Sequence, residues 1–188
     1  GLLARVHLRR GDYPEVILAA DAGLAMAGPH DPARIDLLSA SGMAAAYTAD
    51  HRTATERFHE ALLLARSLES KRDEASVLTY MAIDRHRAGE HRAARDLYTQ
   101  SLDIARELSD IGRMSTFAMN LGTIAVTLGD HAAAREHYES AARLARRAGK
   151  TSTAVMARAN LANLLVYLGL YERATRECDA ALHEAQDA

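Results

Sequence analysis

The sequence has no tryptophan, two phenylalanines, three prolines and one cysteine, Cys178. A lone cysteine excludes an internal disulfide framework and a thiolate zinc site, and it fits the reducing cytoplasm, where the chain is expected to reside. Few breakers and few aromatic strand formers, set beside abundant Ala and Leu, favour an all-helical chain. No apolar run approaches the roughly 20 residues needed to cross a bilayer, so no membrane contact is expected. The net charge is only −2, with 23 basic and 25 acidic residues interspersed, which leaves no global field to draw in a nucleic acid. An initiating Met is also missing. Gly1 opens what reads as the middle of a helix, Leu2 to Arg9, with no signal peptide, so the sequence is expected to be a piece of a longer protein.

What the chain does have is self-similarity. The turns Gly89-Glu90-His91, Gly129-Asp130-His131 and Gly169-Leu170-Tyr171 fall 40 residues apart, and Ala49-Asp50-His51 lies another 40 upstream. Gly11-Asp12-Tyr13 precedes that by 38. Around each turn stands a helical stretch, the turn, a second stretch of similar length and a short polar link. Glycine suits the left-handed residue that closes a helix, and the Asp after it suits the cap of the next.

Within this frame small and large residues alternate at helical spacing. Ala54, Ala94, Ala134 and Ala174 follow the turns, then Phe58, Tyr98, Tyr138 and Cys178, then Ala61, Ser101, Ala141 and Ala181; Gly42, Ala82, Gly122 and Ala162 precede them. This pattern resembles the tetratricopeptide repeat, most clearly in Asn120-Leu121-Gly122 with Gly129-Asp130 and Tyr138-Glu139-Ser140-Ala141. The family's usual period is about 34 residues. A period of 40 resembles its longer-helix variety, found in bacterial regulatory proteins, in Rap-type peptide sensors and in kinesin light chains.

The resemblance implies an all-α fold, an α-solenoid of antiparallel helical hairpins. It would run as one domain over 1–188, with hairpins at about 1–28 (truncated), 33–69, 71–109, 111–149 and 151–187. Single hairpins of this kind cannot bury their apolar faces alone, so neighbours stack. First helices would line an inner surface where the family binds, and second helices a more charged outer one. The first unit departs most, with Val16, Ala20 and Gly23 at the signature positions and an irregular loop, Gly28-Pro29-His30-Asp31-Pro32.

Carried over residue by residue, the inner positions hold Ser39, Ala40, Met43 and Tyr47, then Thr79, Tyr80, Ile83 and Arg87. Farther along they hold Met119, Asn120, Thr123 and Thr127, then Ala159, Asn160, Asn163 and Tyr167. The expected groove is therefore largely uncharged. All three asparagines of the chain, Asn120, Asn160 and Asn163, lie in it. A side-chain amide both donates and accepts, so a row of them matches the backbone of an extended peptide, while Tyr80, Ile83, Met119, Thr123 and Tyr167 meet its side chains. No matching Lys or Arg set stands where some family members grip a terminal carboxylate, so that mode is not expected.

Other motifs fall into register as structural positions. His51, His91 and His131 occupy one turn position and read as interchangeable; His86, Glu90 and His91 lack a ligand spacing. Gly149-Lys150-Thr151 lacks the glycine of a phosphate loop, since Leu144 stands five residues earlier, and matches an inter-repeat link. Cys178 stands where Phe58 and Tyr138 stand and is expected to be buried packing. No catalytic, metal or cofactor site is expected.

The functional expectation is a module that binds a protein or peptide, serving as the sensing or scaffolding part of a bacterial regulatory protein. One alternative is self-association as a homodimer through the ends of the array, at Leu2 to Arg9 and Tyr171 to Glu184. A phosphatase-type sensor enzyme is the remote one.

Overall fold

The computed structural model describes residues 12–186. Among them stand nine helices and no strand: α1 (Tyr13–Met26), α2 (Ala33–Tyr47), α3 (His51–Ser67), α4 (Lys71–Arg87), α5 (His91–Glu107), α6 (Ile111–Thr127), α7 (His131–Arg147), α8 (Thr151–Tyr167) and α9 (Tyr171–Gln186). The fold is all-α, a solenoid of helical repeats. The helix expected at Leu2 to Arg9 lies outside the described residues.

Helix ends impose the regularity. From α3 to α8 every helix has 17 residues, and starts recur every 20. Each link from α2 onward contains one left-handed residue: Ala49 (φ 62°), Glu69 (53°), Gly89 (81°), Ser109 (52°), Gly129 (77°), Gly149 (65°) and Gly169 (74°). The amide after it turns back to a carbonyl in the last turn, as Ser70 N–H does to Ala65 and Asp110 N–H to Ala105, both at 2.9 Å. That geometry satisfies carbonyls a helix end otherwise leaves bare. Asp50, Asp110 and Asp130 then cap the next helix, accepting from the amides of Thr53, Arg113 and Ala133 at 3.1, 2.9 and 3.0 Å. Turns inside a hairpin and links between hairpins thus share one conformation, and Gly149-Lys150 is such a link.

The chain divides into two compact units, the first ending at Leu97 and the second starting at Tyr98, within α5. In the first, α2 packs against α1, α3 and α4 and is buried from Leu37 through Ala46. Val16 of α1 clusters with Ala40 and Ala44. This corrects the expectation for the second hairpin: Ser39, Ala40 and Met43 are buried and line no open surface. Only Tyr47 of that set is exposed, and it is stacked on Tyr13 at 5.2 Å with the Arg87 guanidinium 4.6 Å from its ring centre. The irregular loop before α2 is held by Arg34, which donates to the carbonyls of Leu24 (3.1 Å) and Ala27 (3.4 Å) and pairs with Glu60 at 2.9 Å.

In the second unit each helix packs on its neighbours in sequence, and α6 also touches α8. α7 buries one stripe, Ala134, Tyr138, Ala141, Ala142 and Ala145, at the spacing of an amphipathic helix. α9 buries only Ala174 and Ala181. Cys178 is exposed, against the expectation of a packed position, because no described element follows α9 to cover that face. Arg158 of α8 ties α9 down by pairing with Glu177 and, at 3.0 Å, with Glu184, which also meets Arg146.

Candidate functional site

Asn160, Asn163, Leu164 and Tyr167 of α8 lie at the i, i+3, i+4 and i+7 positions that share one helix face. Together with Val126 of α6 and His131 and Tyr138 of α7 they line a cavity of about 420 Å³. That is the small end of ligand pockets, which run from roughly 300 to 1,000 Å³. None of the seven lining residues is an acid, a lysine or an arginine. Apolar bodies form the walls, and the two asparagine amides supply donors and acceptors.

The wall facing α8 is fixed by a short polar relay. The Tyr138 hydroxyl donates to Thr123 Oγ1 at 3.2 Å, and the Thr123 hydroxyl donates to the Met119 carbonyl at 3.3 Å. Burial pushes the Tyr138 phenol above its ordinary range, opposed in part by the Thr123 bond, so it presents a neutral ring. The Tyr138 ring packs against Gly122, where no Cβ stands in its way.

Of the residues singled out from sequence, the structure brings Asn160, Asn163 and Tyr167 together in this cavity. Thr123 stands behind it through Tyr138, and Met119 is partly buried against the apolar core. Asn120 is half-buried on α6 and does not line the cavity. Tyr80 and Ile83, in the first unit, are half-buried on α4, and the Tyr80 ring packs 6.4 Å from that of Phe58.

Sequence reasoning missed His131, and with it Val126 and Tyr138. The three turn histidines are not interchangeable. His51 Nδ1 lies 2.6 Å from Oδ1 of the buried Asp84, and His91 Nδ1 lies 3.0 Å from His86 Nδ1. Burial, together with the nearby His91, holds His86 below its ordinary value. His131 has neither kind of partner: its ring meets Tyr167 at 5.1 Å, and its Nδ1 is buried with no hydrogen bond. A usable signal was the pairing of a turn residue with the last residue of the next hairpin's first helix, seen in Tyr13 with Tyr47 and in His131 with Tyr167. Among the described residues no group of three or more His, Cys, Asp or Glu side chains is arranged to hold a metal ion, and no helix is long and apolar enough to cross a membrane.

Two family models described as tetratricopeptide repeat match the chain, one over residues 34–107 and the other over 116–147. No curated protein sequence matches it. Among solved structures it is similar to BtubC (BKLC) from P. vanneervenii, with a TM-score of 0.81 at 16% identity over 98% of this chain and 78% of that one. A Rap protein complexed with competence and sporulation factor gives 0.83 at 16% identity, over 97% of this chain and 52% of that one. The signal transduction ATPase PH0952 from Pyrococcus horikoshii, which has a tetratricopeptide repeat sensor, gives 0.84 at 16% identity, over 96% of this chain and 28% of that one. The chain thus spans about half of the Rap protein and under a third of the ATPase. At this identity the likeness is one of fold.

Proposed function

Since the chain belongs to the tetratricopeptide-repeat family, whose arrays are protein-interaction modules, we propose that its second unit binds an extended, uncharged peptide segment in the cavity between α6, α7 and α8. The observation that carries this reading is the convergence of Asn160, Asn163 and Tyr167 on one apolar-walled cavity without formal charge. The asparagine amides pair with the segment's backbone, and the apolar walls take up a side chain. The module works by holding its partner, without catalysis, as the sensing or scaffolding part of a larger cytoplasmic regulatory protein. The Rap complex and the ATPase with a repeat sensor, both similar in fold, support that placement.

The test is selection of a displayed random-peptide library on the immobilised chain, followed by titration of a recovered peptide. Two hydrogen bonds at about 1 kcal/mol each predict a loss of affinity of roughly 30-fold for Asn160→Ala/Asn163→Ala, with the helical content unchanged. Equal affinity for the folded variant and the parent rejects the site.

A second reading, self-association through α9, is favoured by Leu182, 61% exposed, and by Cys178, exposed on the same helix. Sedimentation over a concentration series separates the two, because a chain that stays monomeric at the highest concentration does not associate through α9.

A further inference from the structure

Building on the peptide-binding reading, we infer that His131 is the specificity-determining residue of the cavity, selecting a peptide side chain that is uncharged, has an apolar body and ends in a hydrogen-bonding group, as tyrosine and glutamine do. Three observations meet at this residue. Its Nδ1 is buried without a hydrogen-bond partner, an arrangement that native interiors rarely keep without a reason. Its ring lines the cavity. The ring that meets it, Tyr167, is 74% exposed and therefore free to turn outward into solvent.

The chemistry of the occupant follows from what surrounds Nδ1. Val126, Leu164 and the ring of Tyr138 make walls that suit an apolar stem. No acid, lysine or arginine lines the cavity to neutralise an ionic one, and a charge buried without a partner is costly. A purely hydrocarbon side chain would leave Nδ1 as it is, unpaired. A hydroxyl or a carboxamide gives it a partner whichever tautomer the imidazole holds, since both groups donate and accept. Tyr167 acts as the cover: it closes over His131 when the cavity is empty and turns out when the polar tip enters.

His51 and His91, at the same position of earlier repeats, already have partners in Asp84 and His86. Only the turn histidine of the fourth hairpin has its Nδ1 left for a ligand.

The experiment is deep sequencing of displayed random 12-residue peptides selected on the parent chain and on His131→Phe, with thermal melting to establish that the variant is folded. The parent is expected to enrich peptides with Tyr or Gln at one fixed position. His131→Phe is expected to shift that position to Phe, Leu or Met by at least ten-fold in relative frequency. If His131→Phe does not melt cooperatively, His131→Leu replaces it with the same expectation. Matching profiles for parent and variant overturn the inference while leaving the groove in place, and so does a fixed Asp, Glu, Lys or Arg at that position. Failure of the parent to enrich any peptide overturns the peptide-binding reading itself.

Discussion

A methyl group placed on Gly122 would lie 2.6 Å from Cδ1 of Tyr138, closer than side-chain carbons approach in folded proteins. The same relationship recurs in the first unit, where a Cβ on Gly42 would lie 2.6 Å from Cε1 of Phe58. Where the large position holds Cys178, the small one is Ala162. In these two hairpins a glycine makes room for the ring that faces it, whereas the third has Ala82 at the small position and Tyr98 at the large one.

Gly122→Ala is expected to destabilise the protein by about 1–3 kcal/mol, the usual cost of forcing extra atoms into a packed site. Adding Tyr138→Cys, which copies the pairing of the fifth hairpin, should make the glycine substitution nearly neutral. Denaturant unfolding of the two single variants and the double variant measures the coupling, and additive effects would show that the two side chains do not compete for space.

The left-handed links make a second expectation. Ser109 holds φ 52° despite its Cβ, a conformation that costs an ordinary residue about 1–2 kcal/mol. Ser109→Gly should therefore stabilise by about 0.5–1 kcal/mol after the added flexibility of the unfolded chain is counted. Gly129→Ala should destabilise by about 1 kcal/mol through the backbone alone, since a Cβ there meets nothing within 4 Å. Chemical denaturation reads both, and a loss of stability in Ser109→Gly would contradict the argument.

Acid should weaken the fold in two stages. His86 and His137 are both held below 6.5, chiefly by burial, so the unfolded chain binds more protons than the folded one as pH falls through 6.5. Stability should be full above that value and decline below it. Burial pushes the Glu74 carboxyl up, but hydrogen bonds and charge from Arg66 and Lys71 outweigh it and hold it below 4.5, so a further loss follows below that pH. Melting temperature between pH 7.5 and 5.5 checks the first stage. His86→Gln/His137→Gln should flatten it, and an unchanged slope in that variant would contradict the assignment.

Much of the fold was legible because helix punctuation is local. Gly89, Gly129 and Gly169 with their polar successors announce themselves at a constant interval, and the small-large-small stripe follows from contacts along single helices. Glu69 and Ser109 gave no such sign, because neither is a residue type whose side chain favours the left-handed conformation it holds. The site was legible in half. Asn160, Asn163 and Tyr167 stand at inner positions that the family resemblance implies, and their i, i+3 and i+7 spacing puts them on one face of α8. The burial of Ser39 and Met43, the exposure of Cys178 and the unpaired nitrogen of His131 all depend on which neighbouring helix covers them. No periodicity encodes that.

The side-chain amide region of a ¹⁵N-resolved NMR spectrum tests the central claim most directly, because the chain has only three asparagines to resolve. On titration with a library-selected peptide, the NH₂ resonances of Asn160 and Asn163 are expected to shift in a saturable way, with the affinity measured by calorimetry, while Asn120 moves little. Saturating peptide that leaves Asn160 and Asn163 unmoved would contradict the proposed site.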